Sequence, residues 1–444
     1  MNKLFGTDGV RGVANEFLTP ELAFALGRAG GYVLAQHGAR RPVIVGRDTR
    51  RSGPMLEQAL TAGICSIGLD VWTLGVVPTP GVAYLTRHLN AAAGVMISAS
   101  HNAIEDNGIK FFASDGCKLS DALEDEIAAK VDDGSKLPRP TGMLVGNIVD
   151  RRRVVNAYLE HCCSLGVPLE GKTVVLDAAH GAAYDIAPKV FARLGARVVR
   201  LHCTANSKKI NVRCGSTDLT AIRATVAQHP GSIGVAFDGD ADRALFIDEE
   251  GQELTGDHVL AMCAKKLLSQ DALPHKTVVA TVMSNIGLER ALHKMEAELL
   301  RTPVGDRYVL EAMQRGGFRL GGEQSGHIID LQANTTGDGI ATAVMMSSLA
   351  AGERRLADLA SIMQQYPQVL INVSVPDKAS FDRDTQLLNL IDKTQQVLGA
   401  NGRVLVRASG TEPLVRVMIE GQEEAHIREL AERIAEQIAS AQHY

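Results

Sequence analysis

Gly94-Val-Met-Ile-Ser-Ala-Ser-His-Asn-Ala-Ile-Glu-Asp-Asn-Gly-Ile-Lys-Phe-Phe112 is the stretch that organises this chain. Gly94 to Ile97 is a short apolar run, and Ile109 to Phe112 is a second one with Lys110 inside it. Between them, Ser98 to Asn102 are small or polar, and Asp106-Asn-Gly108 closes the segment. The pattern predicts a strand, an exposed loop and a returning strand. A serine on such a loop, Ser100, beside His101 and in reach of Lys110, can serve as a covalent nucleophile or phosphate carrier. A polar turn without chemistry is the other reading of the loop alone.

Outward from this loop, one unit recurs. Arg41 to Arg50 reads as a buried strand ending in a charged loop; Ser52 and Pro54 open a helix to Ser66, and Val71 to Leu74 is the next strand. Val174 to His180, a helix Asp185 to Leu194 and a strand Arg197 to Leu201 repeat it. Val278 to Ser284, a helix Leu288 to Leu299 and a strand Arg301 to Val304 repeat it again. Three β-α-β units predict three related doubly wound α/β domains. The remainder breaks the repeat: strand, helix Ser380 to Leu398, strands Arg403 to Arg407 and Val415 to Glu420, helix Glu423 to Ser440. That order predicts a C-terminal α+β domain. Composition shifts put the boundaries at 1–152, 153–252, 253–367 and 368–444.

The composition agrees with layered α/β architecture. Of 444 residues, 45% are hydrophobic but only 4% aromatic, so Val, Leu, Ile and Ala must fill the interior. A net charge of -5 gives no reason to expect nucleic acid or an anionic membrane as partner, so an anionic ligand needs local arginines. The N-terminus lacks an apolar core of signal-peptide length, and Ile340 to Ala351 is too short to span a bilayer. A cytoplasmic protein is expected. Seven cysteines without a Cys-x-x-Cys read as thiols, with Cys65, Cys162, Cys163 and Cys263 in apolar helical patterns.

Four further stretches carry chemistry. Phe5 to Gly12 packs three glycines around Asp8 and Arg11, which suits an anion loop or a tight entry turn. Asp238-Gly-Asp-Ala-Asp-Arg243 follows the apolar run Ile233 to Phe237. Carboxylates at alternate positions of an extended loop project to one side, so Asp238, Asp240 and Asp242 can converge on a small hard cation such as Mg²⁺. An EF-hand loop needs glycine where Arg243 stands and helices where the flanks read as strands. A solvated acidic turn remains the other reading. Gly321 to His327 offers Glu323 and Ser325 to vicinal sugar hydroxyls and His327 as a proton carrier, or is a plain hairpin. In Arg407 to Arg416, hydroxyls of Ser409 and Thr411, an open backbone at Gly410 and the bracketing Arg407 and Arg416 describe an anion loop, or else a hairpin with solvated arginines.

In this order, the motifs resemble the α-D-phosphohexomutase superfamily over essentially the whole chain. The resemblance implies four domains around a central cleft and transfer of phosphate between O6 and O1 of a hexose. The opening segment and Gly321 to His327 are most similar to bacterial members acting on glucosamine phosphates; glucose or mannose phosphates, or a sugar-phosphate-binding regulator, are the alternatives. The resemblance implies that Ser100 carries phosphate in the resting enzyme. It implies Mg²⁺ on Asp238, Asp240, Asp242 and Ser100, with a hexose 1,6-bisphosphate as intermediate. Arg11, His101, Lys110, Arg243 and His327 then surround the reacting group, Glu323 and Ser325 bind the sugar, and Arg407, Ser409, Gly410, Thr411 and Arg416 hold the other phosphate. The implied partner is a small sugar phosphate, with no nucleic acid and no membrane, and the pattern is compatible with a homodimer. Ala103 stands where the family usually has proline, and His180 where asparagine is frequent.

Overall fold

The computed structural model describes residues 4–6, 8–36, 41–375, 384–409 and 413–440. It divides into two compact units, Met1–Met283 with Leu299–Ser361, and Ser284–Glu298 with Ile362–Tyr444.

In the first unit, the strand Ala93–Ile97 is wholly buried between Val43–Arg47, to which it runs parallel, and Asp106–Phe112, which returns antiparallel. The sheet has six strands in the order Val10–Val13, Asp106–Phe112, Ala93–Ile97, Val43–Arg47, Val71–Val76, Ile148–Asp150. Parallel neighbours need a crossover. The helices Gly53–Cys65 and Thr79–His88 supply it. Helix Pro20–Gln36 begins with Pro at its first position and the Thr19 hydroxyl accepting from Leu22 N, an ordinary N-terminal stop for orphan amides. It packs Leu26, Ala29 and Val33 into a core with Leu60, Ile64, Val45, Val95 and Ile97.

A second sheet runs Glu253–Leu254, Ala244–Ile247, Ile233–Phe237, Thr173–Asp177, Arg197–Leu201, and a third Glu298–Thr302, Thr277–Thr281, Leu320–Gly322, Ile328–Asp330. All three sheets are mixed: parallel strands in the middle, with at least one antiparallel strand at an edge. Helix Gly339–Leu349 is buried almost all round, which is why its sequence is apolar without a polar face. No described helix is long and apolar enough to cross a membrane.

The third repeat departs from its sequence pattern. The helix expected to reach Leu299 covers Ile286–Lys294, and the following strand is Glu298–Thr302, not Arg301 to Val304. Glu296 takes a left-handed φ of 54°, which ends the helix, and exposure then alternates along Glu298 to Thr302 as on a strand. Cys65, Cys162 and Cys263 are buried and Cys163 half-buried.

The second unit holds an antiparallel sheet, Gln368–Ser374, Leu414–Glu420, Arg403–Ala408, covered by helices Thr385–Leu398 and Glu424–Ser440. Val415, Val417 and Ile419 point from the central strand to Ile427, Leu430 and Ile434. The first residues of the helix expected from Ser380 lie outside the described residues. Helix Ile286–Lys294 also belongs to this unit, with Arg290 lying on the Tyr366 ring at 4.6 Å.

Candidate active site

Ser100 lies at the carboxyl end of a central strand, the end at which α/β sheets present ligands. Its backbone is left-handed, φ 51°. Ser98, Arg50 and Asn211 maintain that conformation, Asn211 Nδ2 donating to Ser100 O at 2.8 Å. Ser98 Oγ accepts from Ser100 N at 2.9 Å and itself donates to Asp48 at 2.6 Å. Arg50, 1% exposed, donates to the carbonyls of Ser100 and Asn102 at 2.9 Å each, of Asp106 at 3.0 Å and of Ala103, and pairs with Asp48 at 3.0 Å. The sequence gives Arg50 only as part of a charged loop; its reach across the serine loop is a tertiary fact. Arg50→Ala removes the charged partner of the buried Asp48 carboxylate and one donor from each of four carbonyls, so a stability loss of about 3–5 kcal/mol is expected in chemical denaturation. A loss below about 1 kcal/mol would contradict the clamp.

The aspartate loop joins Ile233–Phe237 to Ala244–Ile247, an antiparallel hairpin, so its flanks are strands and not EF-hand helices. The loop is not extended as its alternation suggests. Ala241 is left-handed at φ 58° and its N–H bonds Asp238 O at 3.2 Å, making a tight turn. The carboxylates converge all the same. One oxygen from each of Asp238, Asp240 and Asp242 lies within 4.8 Å of the others, all three buried. Gly239 presses on the serine loop: a Cβ there would stand 2.5 Å from Ser100 O. Ser100 Oγ donates to Asp238 Oδ2 at 2.5 Å and lies 3.3 Å from His101 Nδ1.

Fixed cations surround this pair of loops. Lys110 is buried, with Nζ 3.0 Å from Asp240, 2.9 Å from Asp8 and 3.9 Å from Asp242. Thr79 Oγ1 donates to Asp240 at 2.6 Å. Arg11 pairs with Asp8, and Arg243 Nε stands 3.8 Å from Asp242. His327 is buried with Nδ1 3.7 Å from Asp242 and Nε2 3.5 Å from Asp306. Lys118 binds Asp8 at 2.6 Å and also Asp306. Asp8, Lys118 and Asp306 thus belong to the site although the sequence did not single them out as such; Gly305-Asp-Arg-Tyr308 reads only as a polar turn.

The electrostatics follow from burial against partners. Burial and repulsion from Asp242 and Asp240 hold the Asp238 carboxyl well above its usual range. Burial would lower Lys110, but Asp240 and Asp8 outweigh it and raise the ammonium above its ordinary value. Burial would lower His327 too, and Asp242 and Asp306 raise it. His101 is exposed on one side, yet crowding by the loops, with Arg243 and Arg11 nearby, pushes it down to about 4.

Three buried carboxylates this close repel one another unless a cation sits among them. Asp240 Oδ1 and Asp242 Oδ1 are buried without a hydrogen-bond partner, so acceptors stand ready for a ligand. The all-oxygen set fits a hard divalent ion such as Mg²⁺.

Glu323 and Ser325 occupy the loop of the hairpin Leu320–Gly322 and Ile328–Asp330. Glu323 Oε1 accepts from Gly305 N at 3.3 Å, and Ser325 Oγ is buried without a partner. Ala244 N donates to Gly326 O at 3.1 Å, tying this loop to the aspartate hairpin. The hairpin and the site residues are therefore one feature. In the second unit, Arg407 and Arg416 face each other across neighbouring strands. Burial and the charge of Arg416 lower Arg407. Like charges opposed on a sheet cost energy that an anion would remove. Ser409 directly follows the first of these strands, Arg403–Ala408; Gly410 and Thr411 lie outside the described residues.

A buried hydroxyl against clustered carboxylates, with lysine and arginine fixed around it, is the equipment of phosphoryl transfer. Comparison with known proteins agrees. The four successive descriptions of phosphoglucomutase/phosphomannomutase match this chain: alpha/beta/alpha domain I at 2–137, domain II at 156–251, domain III at 255–366 and the C-terminal domain at 370–437. The chain belongs to this family and is an enzyme of the mutase type. It is 52% identical over 442 residues to the phosphoglucosamine mutase of Symbiobacterium thermophilum, covering 99% of each chain. It is 51% identical over 433 residues to that of Moorella thermoacetica, covering 97% and 98%. A phosphoglucomutase/phosphomannomutase family protein of Burkholderia thailandensis has the same fold, with TM-score 0.82 at 24% identity over 99% of this chain and 98% of that one.

Proposed function

We propose that the chain interconverts glucosamine 6-phosphate and glucosamine 1-phosphate, with Ser100 as phosphoryl carrier and a hexose 1,6-bisphosphate between the two half-reactions. The covalent route rests on one observation, the Ser100 hydroxyl 2.5 Å from Asp238 inside the buried carboxylate cluster. The choice of sugar rests on the phosphoglucosamine mutases that share about half of this sequence over nearly its full length. Such a product suits the supply of amino-sugar nucleotides for cell-wall precursors.

Phosphorylated Ser100 gives its phosphoryl group to O1 of glucosamine 6-phosphate. The P–Oγ bond breaks as the P–O1 bond forms, and the O1 proton passes to a base. The bisphosphate turns end for end, the 6-phosphoryl group moves to Oγ, and O6 takes a proton back. Asp238, Asp240, Asp242 and an oxygen on Ser100 would hold Mg²⁺, which offsets charge on phosphoryl oxygens when bound. Arg11, Lys110 and Arg243 do the same from fixed positions. Positioning supplies much of the remainder.

Of Lys110 and His327, the two side chains beside the carboxylates that could exchange that proton, His327 is favoured. The Lys110 ammonium lies among Asp240, Asp8 and Asp242 and is raised above a value already far from neutrality. His327 has neighbours suited to either protonation state. When neutral, its Nε2 accepts from Gly337 N at 3.2 Å; when protonated, it faces Asp242 and Asp306. A ring that both states can accommodate exchanges a proton readily. His101 steers the Ser100 hydroxyl. Glu323 and Ser325 bind sugar hydroxyls, and the loop with Arg407, Ser409, Gly410, Thr411 and Arg416 holds whichever phosphate is not moving.

The test is a comparison of kcat/KM on glucosamine, glucose and mannose 6-phosphates. The glucosamine substrate is expected to lead by about tenfold or more. Equal or higher values on glucose or mannose 6-phosphate would overturn the choice of sugar and leave the covalent route standing.

A further inference from the structure

The second sheet carries another cluster of donors, away from the serine and aspartate loops in sequence. Asp177 ends the strand Thr173–Asp177, His202 follows the strand Arg197–Leu201, and Cys214 precedes the short turn Gly215–Thr217. Parallel pairing of Asp177 with Leu201 sets Asp177 and His202 side by side at the carboxyl ends of their strands. One ligand atom from each of Asp177, His202 and Cys214 lies within 4.8 Å of the other two. Asp177 and Cys214 are buried, while the His202 side chain is 28% exposed and leaves an ion a way in.

An ordinary ion pair accounts for two of the three. His202 Nδ1 is 3.0 Å from Asp177 Oδ2, and Asp177 Oδ1 accepts from Ala179 N at 2.9 Å. It does not involve the thiol, whose Sγ–H donates to Lys209 O at 3.7 Å. One oxygen, one nitrogen and one sulfur form a donor set that Mg²⁺ and Ca²⁺ do not use and that borderline first-row ions do, zinc foremost.

We propose that Asp177, His202 and Cys214 bind a zinc-class divalent ion, at a site distinct from the hard-ion set of Asp238, Asp240 and Asp242, with solvent completing the coordination. On binding, the Sγ–H bond gives way to an Sγ–metal bond and the His202 Nδ1–H to an Nδ1–metal bond; both protons leave to solvent. The cluster also reaches the serine loop. Asn211 N donates to Ala179 O at 3.1 Å, beside the amide that Asp177 holds, and Asn211 Nδ2 donates to Ser100 O at 2.8 Å. An ion here fixes the segment from which Asn211 supports Ser100.

The test uses reduced full-length protein, stripped of metal and then saturated with Mg²⁺, titrated with Co²⁺ as a coloured stand-in for zinc. One equivalent is expected to produce thiolate-to-cobalt charge-transfer absorption that Zn²⁺ displaces. Cys214→Ser should abolish the band and Cys203→Ser should keep it. His202→Ala should weaken Co²⁺ binding by about tenfold or more. No band in the wild type, or a band that survives Cys214→Ser, overturns the proposal. Should Cys214→Ser fail to fold, the half-exposed His202 decides: unchanged affinity in His202→Ala overturns the site, and weakened affinity supports it.

Discussion

Ser100→Ala is expected to lower turnover by about 10³-fold or more, because the only change is loss of the oxygen that would carry phosphate. The loop itself should survive the substitution. Its left-handed backbone is borne by serine and costs alanine about the same, on the order of 1 kcal/mol. Arg50 and Asn211 grip the carbonyl of residue 100, and Ser98 grips its amide, so none of those bonds involves the hydroxyl. Binding of glucosamine 6-phosphate by titration calorimetry should therefore stay within about threefold of wild type. Near-normal turnover in the variant would refute a covalent carrier at this position.

Removal of divalent metal is the second large effect. Exhaustive chelation is expected to reduce turnover by about 10³-fold or more, a loss of several kcal/mol of charge stabilisation, with recovery on adding Mg²⁺. The reason lies in the carboxylates. Asp238, Asp240 and Asp242 are close enough that burial and mutual repulsion hold Asp238 well above its usual range even with Lys110, Arg243 and His327 nearby. Asp240→Asn keeps the shape and removes one charge, so it should raise the Mg²⁺ needed for half-maximal rate by about tenfold or more. Full activity after chelation, or an unchanged Mg²⁺ requirement in Asp240→Asn, would remove the metal from these residues.

The parts of the site that were legible in the sequence are those encoded locally. The serine loop lies between two apolar runs, and the alternating aspartates stand out because few other uses need that spacing. Even there, pattern gave the residues but not the path: the aspartates converge through a left-handed turn at Ala241, not along an extended segment. The long-range supports were silent. Arg50 reaches carbonyls more than fifty residues away, and Asp306 joins Lys118 to His327 from a turn with no distinguishing neighbours. The early end of the helix Ile286–Lys294 depends on one backbone angle at Glu296, and its grouping with the C-terminal sheet depends on contacts such as that of Arg290 with Tyr366. Periodicity reports which face is apolar, not which neighbour covers it.

The most direct test of the phosphoryl carrier is to follow the phosphate itself. Protein incubated with radiophosphate-labelled glucosamine 6-phosphate, quenched during turnover and digested, should carry the label on the peptide containing Ser100. Turnover with no label on the protein, or with label on a residue other than Ser100, would contradict the account.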